Sequence, residues 1–147
     1  MRRAVLVVTA TLALGACVLF QTLTHDQRLA NRIVGSWIVA GDSSDYRLIP
    51  MHERFYKDGT YRIFWFSDAT CTTVIGETHL RWKIENGVLT SRITDVTSPS
   101  FGHVGDVIRS QILSLTGNRM VLRSLDDGTT YSRERSTQCL APRLIKV

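Results

Sequence analysis

The run LRWKIE at 80–85 sets Leu80, Trp82 and Ile84 on one face and Arg81, Lys83 and Glu85 on the other. That period of two marks a strand with one buried face. Comparable alternating or β-branched runs recur along the chain, separated by turn signals at KDG (57), NG (86), TGN (116) and DDG (126). They predict eight strands over about 32–40, 48–56, 60–67, 78–85, 88–95, 107–115, 119–125 and 129–135. The only helical signal beside them is THDQRLANRI from Thr24, where a capping Thr or Asp precedes helix formers for one or two turns.

Consecutive strands joined by short connections form an all-β antiparallel meander, and eight of them close into an up-and-down barrel that leaves no edge strand exposed. The connections alternate in length. Those between strands two and three, four and five, and six and seven are tight turns, whereas GDSSDYR, DATCTTVIGE and TSPSFGHVGD are longer. Alternate connections of a meander lie at the same end, so one end is stitched shut and the other is a loop-rimmed mouth.

Gly35 and Trp37 at the start of the first strand, after a short helical turn, resemble the Gly-x-Trp signature of lipocalins and the wider calycins. The resemblance implies that Trp37 packs across the closed end against an arginine near the end of the last strand, where Arg133 and Arg135 stand. The chain has no counterpart of the family's Thr-Asp-Tyr motif and no long C-terminal helix, which implies a small lipocalin-like domain over 32–147. The alternative for Gly-x-Trp is a core tryptophan in an ordinary β-sandwich.

Alternation predicts one inner face from Leu89, Ser91, Ile93 and Asp95, from Ile108, Ser110, Ile112 and Ser114, and from Met120, Leu122 and Ser124. Strand direction puts Asp95, Ser110 and Ser124 toward the mouth, so these three with Ser91, Ile112 and Leu122 are the candidate ligand-lining residues. Eight strands enclose room either for packed side chains or for one small ligand. Trp65, or Phe64 and Phe66, with Trp82 and Phe55, are the residues that could fill it. The mouth-end segments hold Asp42, Asp45, Asp68, Glu77, Asp106, Asp126 and Asp127 against Arg47, which disfavours anionic ligands.

The start of the chain, MRRAVLVVTATLALGACVLF, has a basic head, an apolar run and small residues before Cys17, the pattern of an export signal. Leu14-Gly15-Ala16-Cys17 resembles the bacterial lipoprotein box, which implies removal of 1–16, acylation of Cys17, and a linker with the short helix over 17–31. A retained anchor and a cut after Gly15 are the alternatives. The lipoprotein resemblance leaves Cys71 and Cys139 to pair in an oxidising compartment, and a disulfide tying the C-terminal tail to the barrel wall would match the lipocalin pattern. Cys71 falls at the mouth and Cys139 beyond the closed end, so pairing requires a longer third strand or a tail that doubles back.

A formal charge of +5 without clustered Lys and Arg does not indicate nucleic acid. His25, His52, His79 and His103 lie on separate elements without metal-ligand spacing, and His52 and Glu53 point to opposite faces of one strand. No nucleophile elbow is present, and GHVGD lacks the Lys-Ser/Thr of a phosphate loop. The expectation is a non-enzymatic, cofactor-free binding protein for a small apolar or amphipathic ligand, anchored by its N-terminal lipid in the bacterial envelope, at the outer membrane and facing the periplasm. The alternative is a protein-binding envelope module, such as a hydrolase inhibitor or assembly factor, acting through the mouth loops. Intact-mass measurement of the protein from its native membrane should give a chain beginning at Cys17 and carrying acyl groups. Retention of the first sixteen residues would refute the lipoprotein reading.

Overall fold

The computed structural model describes residues 23–39, 50–68 and 70–136. The leader 1–16, Cys17 and Cys139 lie outside the described residues. One helix, α1 (His25–Ile33), precedes eight strands: β1 (Gly35–Val39), β2 (Met51–Phe55), β3 (Thr60–Phe66), β4 (Val74–Glu85), β5 (Val88–Val96), β6 (Val107–Leu115), β7 (Arg119–Ser124) and β8 (Thr130–Arg135). Each strand pairs with the next, and β1 pairs antiparallel with β8, so the sheet is a closed barrel.

Two boundaries differ from those read in the sequence. The helix runs to Ile33 and takes the residues that open the predicted first strand. Thr24 and Gln27 form a reciprocal capping box, and Leu29 and Ile33, one turn apart, bury the same face of the helix. β4 begins at Val74, earlier than predicted, because its ladder with β3 continues past an irregularity at Trp65/Phe66 to Phe66 opposite Val74. The β-branched residues of TTVI permit that extension even though both Val74 and Ile75 are exposed and show no alternation.

The closed end is sealed by α1 and a cluster around Trp37. The Asp26 carboxylate accepts hydrogen bonds from the backbone N–H groups of Asn86 (2.7 Å) and Gly87 (3.0 Å), docking the helix on the β4–β5 turn. Trp37 is fully buried and donates from its indole nitrogen to the Ile33 carbonyl at 2.7 Å. The Arg135 guanidinium lies 4.3 Å from the centre of the Trp37 ring and donates to the carbonyls of Gly117, Val34 and Arg32. Gly35 makes this possible. Its φ is +128°, and a β-carbon there would collide with Nη1 of Arg135. The Gly-x-Trp pattern therefore has a local physical cause: the glycine clears the path for an arginine that clamps helix, tryptophan and the β6–β7 turn together.

Above this plug Phe55 and Tyr61 stack at 4.1 Å, and Trp82 meets Phe55 edge-on at 5.7 Å. Trp82 donates to the carbonyls of Tyr56 and Thr60. These rings fill the barrel near its closed end. Replacing Trp37 by alanine should cost about 3–5 kcal/mol, the range for loss of a large buried aromatic, seen as a fall in melting temperature. An unchanged melting temperature would contradict the sealing role.

Candidate functional site

The filling stops partway up the barrel. Toward the mouth lies a cavity of about 310 Å³, whose wall includes Ile63, Trp65, Ser91, Ile93, Ile108 and Leu122. That volume is at the lower end of the range for small-molecule sites, and a mostly apolar wall with a few polar groups is their usual composition.

Of the residues expected to line it, Ser91, Ser110 and Leu122 do so, each 3% exposed or less. Asp95 does not. The β4–β5 register passes from Leu80 opposite Ile93 to His79 opposite Asp95, so Thr94 is an extra residue in β5. One inserted residue reverses the alternation beyond it, and Asp95 is exposed. Ser124 is half-buried, and its hydroxyl accepts from the N–H groups of Asp126 and Asp127, closing the β7–β8 turn. Ile112 faces inward but at the closed end, where its N–H meets the Gly87 carbonyl and its side chain packs against the core. The two arginines of β8 also separate. Arg135 is the closed-end residue, whereas Arg133, one inward position nearer the mouth, belongs to the cavity wall.

Arg133 is 3% exposed and faces Glu53 of β2, itself 4% exposed, across the intervening strand β1. Nε and Nη2 of Arg133 donate to the two carboxylate oxygens at 2.6 and 3.2 Å, a bidentate pair. Tyr61 donates its hydroxyl to Oε1 of Glu53 at 2.8 Å. Burial, followed by the negative charge of Glu53, holds the Tyr61 hydroxyl well above its ordinary pKa of 10.0, so it stays a neutral donor. Arg133 also lies 4.8 Å from the centre of the Tyr131 ring, and the Tyr131 hydroxyl and Ser110 hydroxyl share a 2.6 Å hydrogen bond.

The mouth is partly covered from above. The segment 97–106 between β5 and β6 contains a 3-10 turn, Pro99–Phe101, and folds inward so that the Phe101 ring stacks on Trp65 at 5.3 Å. Gly76 of β4 leaves the space that ring occupies, since a β-carbon there would overlap it. Thr78 holds both partners: its hydroxyl accepts from the Trp65 indole at 3.0 Å and donates to the Phe101 carbonyl at 3.1 Å. At the neighbouring β3–β4 connection, Asp68 accepts from the Thr70 hydroxyl and from the N–H groups of Thr70, Thr72 and Thr73. The Thr70 hydroxyl bond is the main reason its carboxyl lies far below the usual carboxylate range, so this rim acid is ionised and structural.

Sequence reasoning missed Glu53, Tyr61, Thr78, Phe101 and Tyr131. Glu53 carried a signal, because it sits between Met51 and Phe55 on an otherwise apolar face and an arginine stands at an inward position of β8. Phe101 carried none, being a loop residue with no periodicity around it. Among the described residues no group of three His, Cys, Asp or Glu could hold a metal ion, and no helix is long and apolar enough to cross a membrane.

The domain has the fold of a lipocalin-like barrel. Solved structures with this architecture include a lipocalin-like protein from Bacteroides uniformis (TM-score 0.54, 10% identity, covering 71% of this chain and 99% of that one). An uncharacterized protein from Bacteroides eggerthii is similar in the same way (TM-score 0.52, 13% identity, 70% and 98%). At these identities the likeness is one of fold. Neither a protein-family model nor a curated protein matches the sequence.

Glu53→Leu should destabilise the barrel by about 3–5 kcal/mol by leaving the buried Arg133 charge without its carboxylate, and adding Arg133→Met should recover most of that loss. Denaturant unfolding measures both. A double variant that loses the sum of the Glu53→Leu and Arg133→Met losses would show that the pair does not act as one unit.

Proposed function

We propose that this chain is a lipid-anchored binding protein of the bacterial envelope that carries a small apolar or amphipathic molecule in its barrel. The observation that carries this reading is the hollow above the aromatic plug: about 310 Å³ bounded by apolar side chains and a few inward polar groups. A barrel built only as a scaffold gains stability by filling that space, since each void forfeits packing. Small residues at Ser91 and Ser110, where leucine would pack, leave it open instead.

The anchoring half of the proposal rests on the leader and Cys17. α1 meets the barrel at its closed end, so a chain tethered through residues ahead of Leu23 presents the mouth away from the membrane and toward the periplasm. A disulfide between Cys71 and Cys139 belongs to the same proposal, as does placement at the outer membrane. A protein partner engaged by the mouth loops is the competing reading.

Native mass spectrometry of the protein purified from its producing cells should show a retained small-molecule adduct that leaves on collisional activation. A bare chain accompanied by a co-purifying protein would overturn the ligand-carrier reading in favour of the protein-binding module.

A further inference from the structure

Resting on the binding role proposed above, we infer that the cavity takes a neutral ligand anchored by one hydrogen-bonding head group at the hydroxyl of Ser91. Ser91 is 3% exposed and lines the cavity, yet its hydroxyl makes no hydrogen bond with any described residue. It stands apart from its neighbours. Glu53, Arg133 and Tyr61 satisfy one another, Ser110 is joined to Tyr131, and Thr78 bridges Trp65 and the Phe101 carbonyl. Every sealed side-chain nitrogen or oxygen among the described residues has a partner, so the Ser91 hydroxyl is not shut into the wall but opens onto the cavity. A hydroxyl directed into a ligand-sized hollow is the donor and acceptor a ligand's polar group would meet.

The surroundings set the chemistry of that group. Ser91 is flanked on its own inner face by Leu89 and Ile93 and lies opposite Ile108 of β6, with Trp65 and Phe101 toward the mouth. These surfaces suit an apolar body. The buried charges of the barrel, Glu53 and Arg133, are spent on each other at 2.6 Å, and the Asp106 carboxylate is exposed at the mouth and accepts from the His103 N–H, so an ammonium or carboxylate at Ser91 would be buried without a counter-charge beside it. An anion would in addition pass Asp106, whose residue forms part of the cavity wall at the mouth. The ligand class is therefore an uncharged apolar molecule bearing a hydroxyl, carbonyl or amide, and neither a fatty-acid anion nor an alkylamine.

The test is calorimetric titration of the intact protein with 1-octanol, octylamine, octanoic acid and toluene at neutral pH, repeated on Ser91→Ala. Octanol should bind about tenfold or more tighter than either charged analogue. Ser91→Ala should weaken octanol by about three- to tenfold, the loss of one hydrogen bond, while toluene affinity is unchanged and the melting temperature does not fall. Equal affinities across the octyl series, or octanol binding untouched by Ser91→Ala, would overturn the head-group assignment and leave the binding role standing. A lower melting temperature with all affinities reduced alike would make Ser91 structural and overturn it too. Failure of all four compounds to bind the unaltered protein would overturn the binding role itself, and this inference with it.

Discussion

The contact on which this fold depends is the guanidinium of Arg135 laid over the Trp37 ring. A meander of eight strands becomes a barrel only when its first and last strands pair, and that pairing consists of the short ladder Trp37–Arg135, Ile38–Glu134 and Val39–Arg133. Three residue pairs are little to hold a sheet closed. Arg135 reinforces them from inside, giving hydrogen bonds to carbonyls before β1 and in the β6–β7 turn while covering the aromatic face. The same side chain thus seals the seam, fixes the end of α1 and makes a floor. With the floor in place, Phe55, Tyr61 and Trp82 pack on it, and the cavity is confined to the mouth.

Within that cavity the polar groups are organised rather than scattered. A buried ion pair is costly to desolvate and seldom adds net stability over a packed apolar core. Here Glu53 and Arg133 join β2 to β8 across β1, with Tyr61 adding β3, so the pair spans the closing seam one layer above Trp37 and Arg135. Arginines at alternate inward positions of β8 therefore serve two layers: one on a π face, one on a carboxylate. The mouth is shaped by different means, through an aromatic stack held by a threonine and accommodated by a glycine.

Much of this was legible in the sequence wherever alternation was regular. LRWKIE and the paired turns fixed the strand order, and connection lengths told the closed end from the mouth before any contact was known. Ser91, Ser110 and Leu122 were legible as cavity residues because no irregularity separates them from the patterned part of their strands. Asp95 was misread because a bulge at Thr94 has no signature in a sequence that stays β-prone throughout. Ser124 was misread because a strand-end serine serves a turn as readily as an interior. The Glu53–Arg133 pair required knowing that β2 and β8 are separated by a single strand, which is a consequence of closure. Phe101 depended on a loop conformation that no periodicity encodes.

Closure is the claim from which the floor, the ion-pair layer and the cavity all follow, and amide hydrogen exchange tests it most directly. If the barrel is closed as described, amides of β1 and β8 that pair across the seam exchange only by global unfolding, with protection equal to that of the central β3–β4 and β4–β5 ladders. Fast exchange of the β1 and β8 amides by local opening, while β3 to β5 stay protected, would mean that the seam is an edge and that the account built on it is wrong.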